Sequence, residues 1–287
     1  MKIWLSRCIS LILAGSFLSL ILGAWLLKPD RIAPRIVVLG DSIIGSAVED
    51  KTITDYLEEQ LGYEVQNGAF GGTGAAYDNK DTYPADVDNH FSLVSIANSI
   101  LTGDFSLQKS MIAYGDRYYY IFRQTPHYFR SRVEELENAD FSKVEYLVIQ
   151  QGTNDYNGGT PVENPRDPYD ESTYAGALRS IIEQFQERYP RLKILLATPT
   201  WCYVVRDGQV LHGDQTDFGG GVLGEYAQAC RKIGEEYNIP VLDNFAESGI
   251  SAATAEEYLI DGLHMNEEGQ KLLAGKMADF IRELEEQ

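Results

Sequence analysis

The sequence predicts an α/β protein built on a mainly parallel sheet with helices on both faces. Five short apolar runs recur along the chain, Ile36 to Leu39, Tyr63 to Val65, Tyr146 to Ile149, Ile194 to Ala197 and Ile239 to Leu242. Between most of them lie patterns with the 3.6-residue period of an amphipathic helix, and alternating strand and helix is what a parallel sheet with crossover helices requires. With 44% hydrophobic and 11% aromatic residues in 287, the chain has the side chains to fill such cores and does not read as disordered.

The first run is β-branched, ends at Gly40 and leads straight into Asp41 and Ser42 within "RIVVLGDSIIGSA". That places two small polar residues at the C-terminal end of a buried strand, where open α/β sheets gather their chemistry. The clearest helix runs through Tyr174, Leu178, Ile181, Ile182, Phe185 and Tyr189, all on one face. A closing helix is expected over Asn266 to Leu284, with a capping asparagine, Glu267 and Glu268 in its first turn, and Leu272, Leu273, Met277, Phe280, Ile281 and Leu284 as its apolar side.

Residues 77–140 do not fit a minimal strand–helix rhythm and read as an insert. They hold an acidic loop "DNKDTYPADVDNH", a helical "FSLVSIANSI" and the aromatic "YGDRYYYIFRQTPHYF". Such an insert on the strand-end side forms a lid or substrate wall, or else Tyr118, Tyr120, Phe122 and Phe129 cover a small core of its own. Asp86 and Asp88 alternate in the acidic loop, but the glycine and distal glutamate of a calcium loop are missing, so no metal is expected.

Residues 1–28 carry Lys2, Arg7 and Lys28 and no acid, and Cys8 to Leu27 is a 20-residue stretch without charge. That length suits a membrane-spanning helix, so the segment is expected to be an N-terminal hydrophobic helix that anchors the chain to the membrane. The alternative is a cleaved signal peptide, with Leu22-Gly23-Ala24 as a poor cleavage site and secretion as the result. A linker over 29–35 then leads to a domain over 36–287, expected to lie outside the cytoplasm. Beyond residue 28 there are 21 basic against 43 acidic side chains, which excludes a nucleic-acid partner for want of a positive field. Cys202 and Cys230 are the cysteines beyond the anchor; Cys230 falls on an apolar helical face, pairing is left open, and no CxxC spacing occurs.

Four distant segments fall where strand ends converge. They are "GDS" at Gly40 to Ser42, "QNGAFGGTGA" at Gln66 to Ala75, "QQGTNDYNGG" from Gln150 and "LIDGLHMNEEG" with Asp261 and His264 three apart. Together they hold what acyl transfer needs. Ser42 is a poor nucleophile until His264 takes its proton, and Asp261 can fix the His264 tautomer and balance its charge. The Ser42 amide, the Gly72 amide and the Asn154 side-chain NH2 are donors for an oxyanion hole. Asp41, Asp155, Trp201 and Tyr203 are candidates for binding substrate. The last two lie in "TPTWCY" after the fourth strand, where they stack on a sugar ring, line an acyl pocket or simply pack. No GxSxG elbow occurs, and "GAFGGTG" fits neither phosphate-binding glycine pattern.

In its order of GDS, Asn-x-x-x-x-Gly, GTND and Asp-x-x-His, the chain resembles the SGNH (GDSL-type) hydrolase superfamily from Arg35 onward. The resemblance matches Ser42, Gly72, Asn154 and His264 to the four residues of the name. It implies a flavodoxin-like three-layer α/β/α sandwich with a five-stranded sheet, and ester hydrolysis through an acyl-serine with no cofactor. Ile43 replaces the commoner Leu after GDS, and the insert is longer than in compact members. The expected function is a serine esterase removing small acyl groups, such as acetate, from a carbohydrate or cell-envelope substrate. The alternatives are a lipase or lysophospholipase with a lid, and an inactive membrane-tethered binding module.

Overall fold

The structure is a computed structural model and describes residues 32–77, 89–115 and 128–286. The expected anchor at 1–28, the first part of the linker, Asp86 and Asp88, and Tyr118, Tyr120 and Phe122 lie outside the described residues. Among the described residues, no helix is long and apolar enough to cross a membrane.

In chain order the elements are β1 (Ile36–Gly40), α1 (Ser42–Gly45), α2 (Ile53–Leu61), β2 (Val65–Asn67), α3 (Leu93–Thr102), α4 (Ser106–Gly115), α5 (Tyr128–Asn138), β3 (Tyr146–Gln150), α6 (Thr153–Gly158), α7 (Tyr174–Arg188), β4 (Lys193–Ala197), β5 (Tyr203–Arg206), β6 (Gln209–His212), α8 (Leu223–Tyr237), β7 (Val241–Leu242), α9 (Asn244–Glu247), α10 (Ala255–Tyr258) and α11 (Glu267–Glu285). Five strands pair in the order β2-β1-β3-β4-β7, all parallel. In register, Val38 lies beside Val148, which lies beside Leu195.

Because side chains alternate along a strand, the sheet feeds two cores. Val37, Leu39, Leu147, Ile149, Ile194 and Leu196 enter one, with α3, α5, α7 and α8 above them. Ile36, Val38, Tyr146, Val148, Leu195 and Ala197 enter the other, covered by α1, α2 and α11. Near-continuous apolar strands such as Tyr146–Gln150 are the consequence of burial on both faces. The chain order reverses between β1 and β3, the two strands whose C-terminal ends open the crevice at a topological switch point.

Three features depart from the sequence expectation. The described helices of the 77–140 insert do not close on a core of their own: Phe91, Leu93, Ile96, Phe129, Val133 and Leu136 share a core with β1 and β3, so α3 and α5 are part of the layer on that face. The second strand begins at Val65 rather than Tyr63, since Gly62 ends α2 in a left-handed turn and Tyr63 lies half-buried beneath the Arg35 guanidinium. The third is an antiparallel hairpin, β5 with β6, turning through Asp207 (φ 53°) and Gly208 (φ 76°). Positive φ at both turn residues is what a type I′ two-residue hairpin turn demands, and Asp-Gly is one of the dipeptides that meet it. Cys202 and Cys230 are buried free thiols.

Candidate active site

Ser42 is the first residue of α1, immediately beyond β1, and is 3% exposed. Asp41 caps that short helix by accepting a hydrogen bond from the Ile43 amide at 2.8 Å. Its burial pushes the Asp41 carboxyl up to about 7, against the pull of the Ile43 amide and of His264. The Gly45 and Ser46 amides return to the Asp41 and Ser42 carbonyls, closing the turn.

His264 arrives from the other end of the chain. Its Nε2 lies 2.9 Å from Ser42 Oγ, and its Nδ1 lies 2.9 Å from Asp261 Oδ2. The second Asp261 oxygen, Oδ1, accepts from the backbone amides of Leu263 and His264 at 3.1 and 2.8 Å. This is why the two residues stand three apart: one carboxylate both folds the turn and holds the ring. Gly262, at φ 89°, supplies a backbone conformation that other residues adopt at a cost. The turn is closed by a bridge between Leu259 and Met265 and anchored by Asn266, which caps α11 through the Gly269 amide. Burial tends to raise the Asp261 carboxyl, but the hydrogen bonds from the His264 ring and the His264 and Leu263 amides outweigh it and hold it well below the usual carboxylate range.

The segment after β2 keeps pairing with β1 through the Gly68 and Phe70 amides, which donate to the Val38 and Gly40 carbonyls. It then turns through Gly72 at φ 81°. Gly71 is buried, whereas Gly72 is partly open. Asn154, on α6 just beyond β3, donates one side-chain N–H to the Thr73 carbonyl at 3.0 Å, which ties α6 to this loop. The N-terminal halves of α1 and α6 and the Gly72 loop thus meet at the switch point between β1 and β3.

The four substrate candidates resolve differently. Asp41 and Asp155 are each 1% exposed and committed to backbone amides, so they shape the site and do not reach substrate. Asp155 accepts from the Ala75 and Ala76 amides at 2.8 and 3.0 Å, and burial raises its carboxyl against those bonds. Trp201 is also buried, with its indole N–H donating to Asp214 at 3.0 Å, so it packs. Tyr203 is half-buried: it starts the unexpected hairpin, its ring lies against Gly262, and its amide donates to the Gly262 carbonyl at 2.8 Å. The hairpin therefore buttresses the Asp261–His264 turn. Asn67, which opens the Asn-x-x-x-x-Gly segment, has a structural part that its place in the motif does not reveal: its side-chain NH2 reaches the Ile44 carbonyl at 3.1 Å and the Thr54 hydroxyl at 2.9 Å, linking β2 to α1 and α2. Among the described residues no cluster of His, Cys, Asp and Glu is arranged to hold a metal ion.

The buried Asp41 carboxyl gives a pH signature. Between about pH 4 and 7 the native state keeps its proton while the unfolded chain has lost it, so stability present at low pH is lost as pH rises to about 7, by up to about 1.4 kcal/mol per pH unit. Asp41→Asn keeps an acceptor for Ile43 and cannot ionise. Urea melts at pH 5, 6, 7 and 8 are expected to show a flatter stability profile in the variant, and equal slopes in the two proteins would refute this account.

A model of the GDSL-like Lipase/Acylhydrolase family matches residues 114–272. The human isoamyl acetate-hydrolyzing esterase 1 homolog is 30% identical over 122 residues, 42% of this chain and 49% of the relative. The chain spans about half the length of the curated relatives it matches. Two solved structures share the fold. One is a protein from Lactobacillus plantarum (TM-score 0.58, 19% identity, 88% of this chain and 99% of that chain). The other is a possible lipase from Chitinophaga pinensis (TM-score 0.53, 20% identity, 87% and 98%). The family match begins well after Ser42, but the His264 to Ser42 hydrogen bond joins that serine to the matched range. With more than half of its length matched by the family model and with this order of motifs, the chain belongs to the GDSL-like lipase/acylhydrolase family of the SGNH hydrolase superfamily.

Proposed function

We propose that the protein is a serine ester hydrolase that removes short acyl groups, acetate above all, from a carbohydrate or cell-envelope substrate. The observation that carries the chemistry is the unbroken relay from Asp261 Oδ2 through the His264 ring to Ser42 Oγ, each link 2.9 Å long. Ser42 Oγ attacks the ester carbonyl carbon as its proton passes to His264 Nε2. The tetrahedral oxyanion is held by the amides of Ser42 and Gly72 and by the Asn154 N–H that Thr73 leaves open. His264 then protonates the leaving alcohol, and water, activated by the same imidazole, releases the acid from the acyl-serine.

Two considerations favour a short acyl group. The human relative is named as a homolog of an esterase that hydrolyses an acetate ester, isoamyl acetate. The insert is also rich in Tyr and Asp, where a lipid lid would present an apolar patch. Hydrolysis of p-nitrophenyl acetate is expected to outrun that of C8 to C16 esters, with acetate released from acetylated carbohydrate. The reverse chain-length order would favour a lipase. A well-folded protein whose Ser42 resists a fluorophosphonate probe would point to a binding module. The charge-free stretch Cys8 to Leu27 supports a tethered, extracytoplasmic setting, in which protease added to intact cells destroys the activity.

A further inference from the structure

We propose that Tyr128, buttressed by Arg132 on the same face of α5, is a positioning residue that holds the Gly72 loop in register with the Ser42 helix; the catalytic part of this role rests on the ester hydrolase reading above. The loop needs such a device. Pairing with β1 stops at Phe70, so the following peptide groups, which include the Gly72 donor, have no strand to hold them.

The Tyr128 phenol is 3% exposed and takes up this position. Its hydroxyl donates to the Ala69 carbonyl, so the phenol clasps the backbone just ahead of Phe70 and the turn through Gly72. Burial pushes its ionisation up to about 12, which keeps the donor proton in place across the working pH range. On its other side the hydroxyl lies against Gly45 of α1, where a methyl group would overlap it. The nucleophile helix and the oxyanion loop are thus spaced by the same oxygen. One turn on, the Arg132 guanidinium lies 5.3 Å from the Tyr128 ring centre and donates to the Asn67 carbonyl at 2.9 Å, fixing the start of the loop. Core filling alone does not require the hydroxyl, since the ring packs among Phe70 and Phe129 without it.

Tyr128→Phe removes the clasp and keeps the ring. Because a displaced donor loses much of its value in the transition state, kcat for a short ester is expected to fall about 10- to 100-fold, with KM within about twofold. The melting temperature should stay within a few degrees. A second measurement reads the contact without turnover. Gly45→Ala is expected to lower the melting temperature by about 5 °C or more in the wild-type background and by less than half as much in the Tyr128→Phe background, where the obstructing oxygen is gone. Wild-type kcat in Tyr128→Phe, a loss confined to KM, or equal Gly45→Ala effects in the two backgrounds overturns the proposal. If wild type and Ser42→Ala are both inert toward esters, the hydrolase reading falls and the catalytic role of Tyr128 with it. An active wild type, a dead Ser42→Ala and a fully active Tyr128→Phe defeat the clasp alone.

Discussion

Replacing Ser42 by alanine is expected to lower kcat for p-nitrophenyl acetate by about 10⁵- to 10⁶-fold while leaving the melting temperature within a few degrees of wild type. The size follows from the chemistry: without Oγ there is no acyl-enzyme, and what remains is water attack assisted by the oxyanion donors. The structural cost is small because the lost hydroxyl bonds to His264 Nε2 at 2.9 Å, a contact worth about 1 kcal/mol net. His264→Ala should cost a similar factor, since a serine without its base is as ineffective as a base without its serine. The double variant should be no slower than either single one, because the two act as a unit. Rates are best taken against a fluorophosphonate titration of active sites, which guards against trace wild-type enzyme. More than about 1% of wild-type kcat in Ser42→Ala, or losses that multiply in the double variant, would end the acyl-serine mechanism.

Much of this site is legible in the amino-acid sequence alone, and the reason is local. Ser42, Gly72, Asn154 and His264 each sit just beyond a strand or just before a helix, at positions where short-range rules already say which way the chain turns. Asp261 and His264 also fold their own turn through Asp261 Oδ1, so their pairing is written in their spacing. The failures are long-range. Asp41 and Asp155 look available to substrate in the sequence, and only the packed sheet edge shows both carboxyls closed off and bonded to amides. The insert reads as an appendage because no periodicity reveals that Phe129 and Val133 share a core with Leu39. Tyr128 is one aromatic among many in its stretch, and its contacts with Ala69 and Gly45 join residues 59 and 83 positions away. The hairpin is a different kind of miss. Its signal, Asp207-Gly208 between two β-branched or aromatic stretches, stands in plain view but is overshadowed by the longer apolar strands.

Asp261→Asn is expected to lower kcat by about 10⁴-fold at every pH from about 5 to 9, with little change in KM. Asparagine keeps Oδ1, so the amides of Leu263 and His264 retain their acceptor and the turn survives. What changes is the other atom. An NH2 group now faces His264 Nδ1, which must become an acceptor; the ring proton moves to Nε2, and Nε2 can no longer take the proton of Ser42. The imidazolium formed during attack also loses its counter-charge. Because the wild-type carboxyl is held well below the ordinary carboxylate range, it is ionised throughout this window, and no acid limb of the wild-type profile arises from it. Its lowered value adds stability above about pH 4 that is lost as pH falls toward the native value, but the side chain is half-exposed and solvent screens that contribution. Asp261→Ala separates charge from scaffold. If Asp261 only folds the turn, the alanine variant loses activity and melting temperature together while the asparagine variant keeps both. If it sets the tautomer, both variants lose kcat alike and only alanine loosens the fold. An asparagine variant with more than a tenth of wild-type kcat would remove Asp261 from the relay.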